Sequence, residues 1–271
     1  MDLSLSQYYE SMAHKSQSQT ARLVTESWVS KNLYCPECGR NLFQYRTGMP
    51  VYDFYCKHSN EKIIVLARTF VSDAENFQLK SQKSNFSRYV LGAGYNVAVS
   101  SLKEGTYPSL ILLHYKTDKL IVNDVEFVHK LAITMNCIKP RRPLSENAER
   151  SGWQGYNIDL YEIPEIGRIE VIKNQAIKEK IRVMSEWKRV SEIMQGNLSD
   201  RGWTSDTIKC IEKLPTKFAL RDVYKFEEKL SKLHPQNKHV KDKIRQQLQI
   251  LRDRNFISFE GNGLYAKSER L

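Results

Sequence analysis

Three residues on two predicted strands have the chemistry to hydrolyse a phosphodiester. Asp53 lies in the segment PVYDFY, and Gln78 and Lys80 lie in FQLKS. Alternate residues of a strand point to the same face, so Gln78 and Lys80 share a face. Asp53 and the Gln78 carbonyl could hold a divalent metal that polarises the scissile phosphate, while Lys80 positions or deprotonates water. Standing alone, the pattern is better explained by solvated charges at strand edges, so other parts of the sequence must decide.

A second candidate site is a group of cysteines. Cys35 and Cys38 form a Cys-x-x-Cys pair followed by glycine, and Cys56 follows after seventeen intervening residues. This spacing is typical of zinc ribbons, in which two thiolates reach one ion across a tight turn. Ser59 stands where a fourth cysteine would be, and His58 could substitute for it. The alternatives are a reduced pair without metal and, for His58, an ordinary surface histidine.

A third candidate is a basic segment near the C-terminus, between residues 237 and 254. Phosphate contacts require mobile cations, whereas base edges are contacted by amides or arginines. An ordinary solvated basic helix is the alternative. The cations of the segment are Lys238, Lys241, Lys243, Arg245, Arg252 and Arg254, and its amides include Gln246, Gln247 and Gln249.

Trp153 is the fourth candidate. It lies in Gly-Trp-Gln-Gly, within a stretch from 139 to 155 that is rich in Pro, Arg, Ser, Asn and Gly. A large aromatic side chain on an exposed loop could stack on a base or contact a methyl group. Without other information, a tryptophan packed on the domain surface explains the residue better.

Charge and composition favour a polyanionic partner. The 271 residues carry a formal charge of +11, and the last 71 carry 16 basic and 9 acidic residues, or +7 of that total. The apolar runs are far shorter than the roughly 18 residues that a membrane span needs. The N-terminus lacks the features of a signal peptide. We therefore expect a cytoplasmic protein that has no membrane partner.

The N-terminal two thirds read as an α/β domain. An amphipathic helix is expected over 15–31, and helical patterns occur over 87–102 and 125–135. A polar helical stretch over 174–202 would connect two domains. The expected strands are 51–55, 62–66, 77–81, 109–115, 118–125 and 167–172.

The last 70 residues read as three helices followed by a hairpin. The helices are expected over 204–214, 219–233 and 237–254, the last with apolar residues at three- and four-residue spacing. A turn of Glu-Gly-Asn-Gly then joins two short strands over 256–259 and 264–267. This order is that of a winged helix, whose third helix enters the DNA major groove.

Several of these segments together resemble the DpnI family of methylation-directed type II restriction endonucleases. The similarity is spread over most of the chain, and its strongest part is the sequence KIRQQLQILRD over 243–253. The other matching segments are YCPECG, PVYDFYC, LKS with the following NF, GW with NIDL, and RGWT.

The resemblance implies a PD-(D/E)xK nuclease domain, a mixed sheet flanked by helices with a small zinc-binding insertion, followed by an α+β winged-helix domain. We place these domains at 1–190 and 191–271. It also implies cleavage of double-stranded DNA at adenine-methylated GATC, with Mg²⁺ as cofactor and structural Zn²⁺. Asp53 matches the metal-binding aspartate and Lys80 the catalytic lysine, and Trp153 becomes a candidate methyl sensor. We expect a monomer.

Two features depart from the family pattern. Gln78 stands where an acidic residue is expected, which removes a negative charge from the metal site. About a dozen residues are inserted near 60–74, next to the absent fourth cysteine. Glu61, Asp73 or Glu75 could restore the missing carboxylate, or the insertion could have disabled the zinc site. The alternative function is therefore a catalytically impaired winged-helix protein that binds methylated DNA.

Overall fold

The computed structural model describes residues 1–9, 17–45, 52–59, 61–70 and 88–268. The chain divides into two compact units, both assembled from separate stretches of sequence. The first unit comprises Met1–Ser87, Pro108–Lys130 and Arg168–Lys188, and the second comprises Arg88–Tyr107, Leu131–Gly167 and Arg189–Leu271. No helix of the described residues is long and apolar enough to span a membrane.

The described residues form eight α-helices and thirteen strands. The helices are α1 (Ser6–Tyr9), α2 (Gln17–Asn32), α3 (Tyr95–Lys103), α4 (Lys180–Ile193), α5 (Leu198–Glu212), α6 (Leu220–Tyr224), α7 (Glu227–Leu233) and α8 (Val240–Asp253). The strands are β1 (Phe43–Gln44), β2 (Phe54–Tyr55), β3 (Lys62–Phe70), β4 (Tyr89–Gly94), β5 (Ser109–Lys116), β6 (Ile121–Val128), β7 (Ile138–Pro140), β8 (Gly155–Asp159), β9 (Arg168–Lys173), β10 (Ala176–Ile177), β11 (Lys217–Ala219), β12 (Ile257–Gly261) and β13 (Leu264–Lys267).

The first unit is built on a seven-stranded mixed sheet in the order β1-β2-β3-β5-β6-β9-β10. Only the β3–β5 pair is parallel, and every other neighbouring pair is antiparallel. The aliphatic centre of β5 is completely buried, which confirms the expected strand at 109–115. Central strands buried on both faces read as continuous apolar runs, and β5 has this pattern.

Strand β6 replaces the helix expected over 125–135. It continues to Val128 and pairs with both β5 and β9, and a short 3-10 helix follows at Lys130–Ala132. Seven of its eight residues are buried, including Asp124 and Glu126. Pairing with β5 and β9 therefore makes this segment a strand. The preference of a residue for strands depends on its tertiary context more than on local sequence. The strand expected at 77–81 lies outside the described residues.

Helix α2 agrees with the expected helix over 15–31 from residue 17 onward. Trp28 and Val24 are fully buried. The indole Nε1 of Trp28 donates to the Asp2 carbonyl oxygen at 2.7 Å, which fastens the N-terminal segment to the helix. In the same unit the ring of Phe127 packs edge-on against Tyr34 and Trp187.

The second unit contains a small sheet in the order β4-β8-β7 and the helix α3. The helix expected over 87–102 is therefore wrong in its first half, where β4 pairs with β8. Gly92 explains why this close pairing is possible. A Cβ at this position would lie 2.1 Å from the Tyr156 ring, so the strands could not approach with a larger residue.

The winged helix completes the second unit. Helix α5 begins earlier than the expected position 204, because the Asn197 side chain accepts from the Asp200 N–H and caps it at residue 198. The helix expected over 219–233 is broken into α6 and α7 at Lys225 and Phe226. Helix α8 and the hairpin β12–β13 match the expectation, and β11 adds a third strand to the wing.

Candidate functional site

Asp53 is held in place at the start of the β2 strand. Its backbone N–H donates to the Ile63 carbonyl oxygen at 3.0 Å, and its own carbonyl accepts from the Tyr45 N–H at 2.9 Å. Its side-chain Oδ2 accepts from the Val65 backbone N–H at 2.7 Å. Three hydrogen bonds to two neighbouring segments thus fix the direction of the carboxylate.

Two residues of α2 lie near this carboxylate, and the sequence pattern did not predict them as part of the site. Arg22 donates from Nε to Glu26 Oε1 at 2.5 Å, and its Nη2 lies 3.5 Å from Asp53 Oδ1. Glu26 Oε2 accepts from Gln44 Nε2 at 2.8 Å. Arg22 and Glu26 are four residues apart on the helix, a spacing typical of ordinary surface pairs. The signal in the sequence was therefore weak, although Glu26 is only 4% exposed.

The electrostatics of this group favour a cation. Burial raises the pKa of Asp53, the Val65 N–H lowers it, the Glu26 carboxylate raises it and Arg22 lowers it, with a net upward shift. Asp53 and Glu26 offer carboxylate oxygens, the ligand atoms that a divalent ion prefers, and Arg22, the cation that both carboxylates now contact, is exposed to solvent. The donor set therefore fits Mg²⁺.

The other two predicted catalytic residues, Gln78 and Lys80, lie outside the described residues, as do Asp73 and Glu75. Glu61 is described and is fully buried. Its carboxylate accepts from the Ser109 hydroxyl at 2.5 Å and pairs with Lys130 Nζ at 2.7 Å. This carboxylate is bound by Ser109 and Lys130, and its role as the missing acid stays a prediction.

The three predicted cysteine ligands are brought together. Their sulfur atoms all lie within 4.8 Å of one another, and all three thiols are free of disulfides. Burial raises the pKa of the Cys35 thiol to about 12. Burial acts in the same direction on Cys56, but hydrogen bonds from Ser59, from the backbone N–H groups of 58 and 59 and from Cys38 lower its pKa to about 7. A cluster of free, closely spaced thiols is a donor set that suits Zn²⁺.

His58 is not part of this cluster. The residue is exposed, and its Nδ1 lies 2.7 Å from Arg40 Nη1. Ser59 lies at the cluster instead, with its hydroxyl oxygen 3.2 Å from Cys35 Sγ. The role of His58 as a ligand stays a prediction.

Trp153 lies on the loop between β7 and β8 and is 38% exposed. The guanidinium carbon of Arg141 lies 5.9 Å from the centre of its indole ring. Gly155 makes room for this arginine, because a Cβ there would lie 2.0 Å from Arg141 Nη2. The loop thus presents an accessible aromatic ring next to a cation, a combination suited to contact with a nucleic acid.

Helix α8 presents one polar and one buried face. Val240, Ile244, Leu248 and Leu251 are buried at the spacing expected for an amphipathic helix. Gln247 is buried too, and its Oε1 accepts from the Thr204 hydroxyl at 2.9 Å, so this glutamine is not available to bases. The exposed or partly exposed predicted residues are Lys238, Lys241, Lys243, Arg245, Gln246, Gln249 and Arg252.

A buried polar network stabilises the second unit around α5. The Asp206 carboxylate, 1% exposed, accepts from Asn136 Nδ2 at 2.8 Å and lies 2.8 Å from His234 Nε2. The His234 ring stacks on Trp203 with 3.9 Å between ring centres. Asp206 thereby connects the winged helix to the segment that precedes β7.

A mixed α/β unit with a cysteine cluster, together with a winged helix that exposes a basic helix, defines a DNA-binding protein. Comparison with known protein families shows to which family of DNA-binding proteins the chain belongs. The model of the DpnI, or Dam-replacing, family matches residues 1–196, and the model of the Dam-replacing HTH domain matches residues 199–267. The chain therefore belongs to the DpnI family of methylation-dependent restriction endonucleases.

Proposed function

We propose that the protein is a restriction endonuclease that cleaves double-stranded DNA at GATC when the adenines are methylated, by metal-dependent phosphodiester hydrolysis. The observation that carries the proposal is the match of both family models, which together account for nearly the whole chain. The fixed carboxylate of Asp53 and the exposed basic face of α8 support it from the structure. Membership of a restriction enzyme family also supports a cytoplasmic location.

Asp53 is the residue we assign to the Mg²⁺ site, together with the Gln78 carbonyl. When bound, Mg²⁺ polarises the scissile phosphate. Lys80 is assigned to position the attacking water. Arg22, whose side chain is 64% exposed beside Asp53, offers a cation to the DNA backbone at the same place. Glu26 orients Arg22 through their 2.5 Å contact.

Recognition is assigned to the second unit. Helix α8 supplies cations for phosphates and Gln246 and Gln249 for base edges. Trp153 is assigned to sense the methyl groups by apolar contact. One methyl contributes only about 1 kcal/mol, so strong discrimination requires two methyl groups, two reading elements, or both.

The experiment compares two plasmids that differ only in adenine methylation at GATC. We expect cutting in Mg²⁺ of the plasmid grown in an adenine-methylating host, while the unmethylated plasmid stays intact. Equal cutting of both plasmids contradicts the proposed specificity. Sequencing of the cut ends identifies the target, because a nuclease of this fold with another recognition sequence would leave different ends.

The second candidate function is a protein that binds methylated DNA without cleaving it. Strand β3 favours it, because this strand lies next to Asp53 and contains no carboxylate between Lys62 and Phe70. Gln78 adds no charge either. Such a protein would shift methylated duplex in a gel and leave it intact in both Mg²⁺ and Mn²⁺. Metal-dependent nicking that Asp53→Asn removes would exclude it.

A further inference from the structure

The cysteine cluster has a fourth member, Ser59, that the family's metal chemistry does not assign. Its hydroxyl oxygen lies 3.2 Å from Cys35 Sγ, while Cys38 Sγ lies 3.4 Å from Cys56 Sγ. Four potential ligand atoms, three sulfurs and one oxygen, therefore surround one small volume.

These separations suit tetrahedral coordination. With zinc–sulfur bonds of about 2.3 Å and zinc–oxygen bonds of about 2.0 Å, two sulfur ligands lie about 3.8 Å apart and a sulfur–oxygen pair about 3.5 Å apart. The three sulfur atoms lie within 4.8 Å of one another, and the Cys35 sulfur lies 3.2 Å from the Ser59 oxygen. The separations within the cluster are therefore close to those of ligands on one tetrahedral ion.

Two backbone turns bring the cysteines and Ser59 together. In the first turn, Gly39 donates to the Cys35 carbonyl at 2.8 Å, and its φ of 71° is a conformation that favours glycine. In the second turn, Cys56 donates to the Glu61 carbonyl at 2.8 Å. The Glu61 N–H lies 3.3 Å from the Ser59 hydroxyl, which orients the side chain towards the cysteines.

We propose that Cys35, Cys38, Cys56 and the Ser59 hydroxyl form one metal site, and that His58 is not a ligand. The proposal rests on the zinc assignment but not on DNA cleavage. A hydroxyl is a neutral and harder ligand than a thiolate, and zinc sites with a weakly held fourth ligand exchange more readily than closed four-thiolate sites. The ion of this chain is therefore more easily removed than in a four-cysteine site.

The test measures zinc affinity of the full-length chain by competition with a chromophoric chelator. Ser59→Cys should tighten binding by roughly tenfold or more, because it adds a soft, charged ligand. Ser59→Ala should weaken binding severalfold. His58→Asn is the matched control, since it alters the adjacent side chain, and it should leave the affinity unchanged. Thermal melting at saturating zinc verifies that each variant is folded.

Cobalt substitution gives a second readout of the same ligands. The intensity of the sulfur-to-cobalt charge-transfer band should rise by about a third in Ser59→Cys, since four thiolates then replace three. Weaker binding in His58→Asn with unchanged binding in Ser59→Ala would overturn the proposal, as would a Ser59→Cys variant with unaltered affinity and spectrum. Neither measurement involves DNA, so a chain that fails to cut GATC still tests it.

Discussion

The two units expose their candidate functional groups to different degrees. In the first unit they are withdrawn from water: Cys35 is fully buried, Glu26 is 4% exposed and the Asp53 side chain is 16% exposed. In the second unit they lie on the surface, as Trp153 and the basic residues of α8 do. Binding of a small ion requires several fixed and partly desolvated ligands, whereas contact with a long polyanion requires accessible side chains.

This difference has a consequence for substitutions. Changes at the buried carboxylates and cysteines of the first unit should alter chemistry or metal content and leave DNA affinity intact, whereas changes on the surface of the second unit should alter affinity and leave stability intact. The buried Asp206 network is the exception within the second unit. A substitution at Asp206 should therefore lower the stability of the second unit, whereas substitutions on the surface of that unit should not.

Asp53→Asn should have the largest effect. The variant keeps the shape of the side chain but removes the charge that we assign to the metal site, so we expect cleavage to fall at least about a thousandfold. Affinity for methylated duplex in a gel shift should remain within about twofold. Glu179→Gln, at an exposed acid of the same unit, is the control. A parallel loss of cleavage and binding would contradict the separation of the two tasks.

Asp206→Ala should have the next largest effect, on stability. It removes a buried acceptor from both Asn136 and His234, and we expect the free energy of unfolding to fall by about 3 kcal/mol. Denaturant unfolding followed by tryptophan fluorescence measures the loss, since Trp203 stacks on His234. Asp253→Ala, at an exposed carboxylate on α8, should change stability very little. Equal effects of the two substitutions would contradict the assigned network.

Removal of two cations from the α8 region should weaken DNA binding without loss of stability. For Lys238→Ala with Lys241→Ala, we expect affinity to fall roughly tenfold and the slope of log affinity against log salt to become shallower by about two. The double variant Lys119→Ala with Lys173→Ala removes the same charge from exposed sites of the first unit. If the control lowers the slope equally, net charge rather than α8 determines binding.

Trp153→Ala should have the smallest effect, confined to methyl discrimination. Loss of one apolar methyl contact should reduce the ratio of affinities for methylated and unmethylated duplex by about fourfold. The measurement uses the Asp53→Asn background, so that no DNA is cut. Tyr161→Ala, at a ring that is equally exposed at 38%, is the control and should leave the ratio unchanged. An unchanged ratio in Trp153→Ala would remove the methyl-sensing role.

Elements whose pattern is local were predicted well. Helix α8 and the hairpin β12–β13 follow directly from apolar spacing and turn residues, and β5 follows from its aliphatic run. The segments at 89–94 and 125–128 were assigned to helices and are strands. Their conformation depends on pairing with β8 in one case and with β5 and β9 in the other, which residue spacing does not encode.

By itself the sequence determined the family, the winged helix and the three clustered cysteines, because each depends on residue types at short and fixed spacing. Tertiary structure alone decided which side chains surround Asp53 and which atom completes the cysteine cluster. Arg22 reaches Asp53 from a helix about thirty residues away in the chain, and Ser59 rather than His58 turns towards the sulfurs. The physical reason is that a binding site depends on the distances between side-chain atoms of segments that are far apart in the chain. Tertiary packing sets these distances, and local sequence does not.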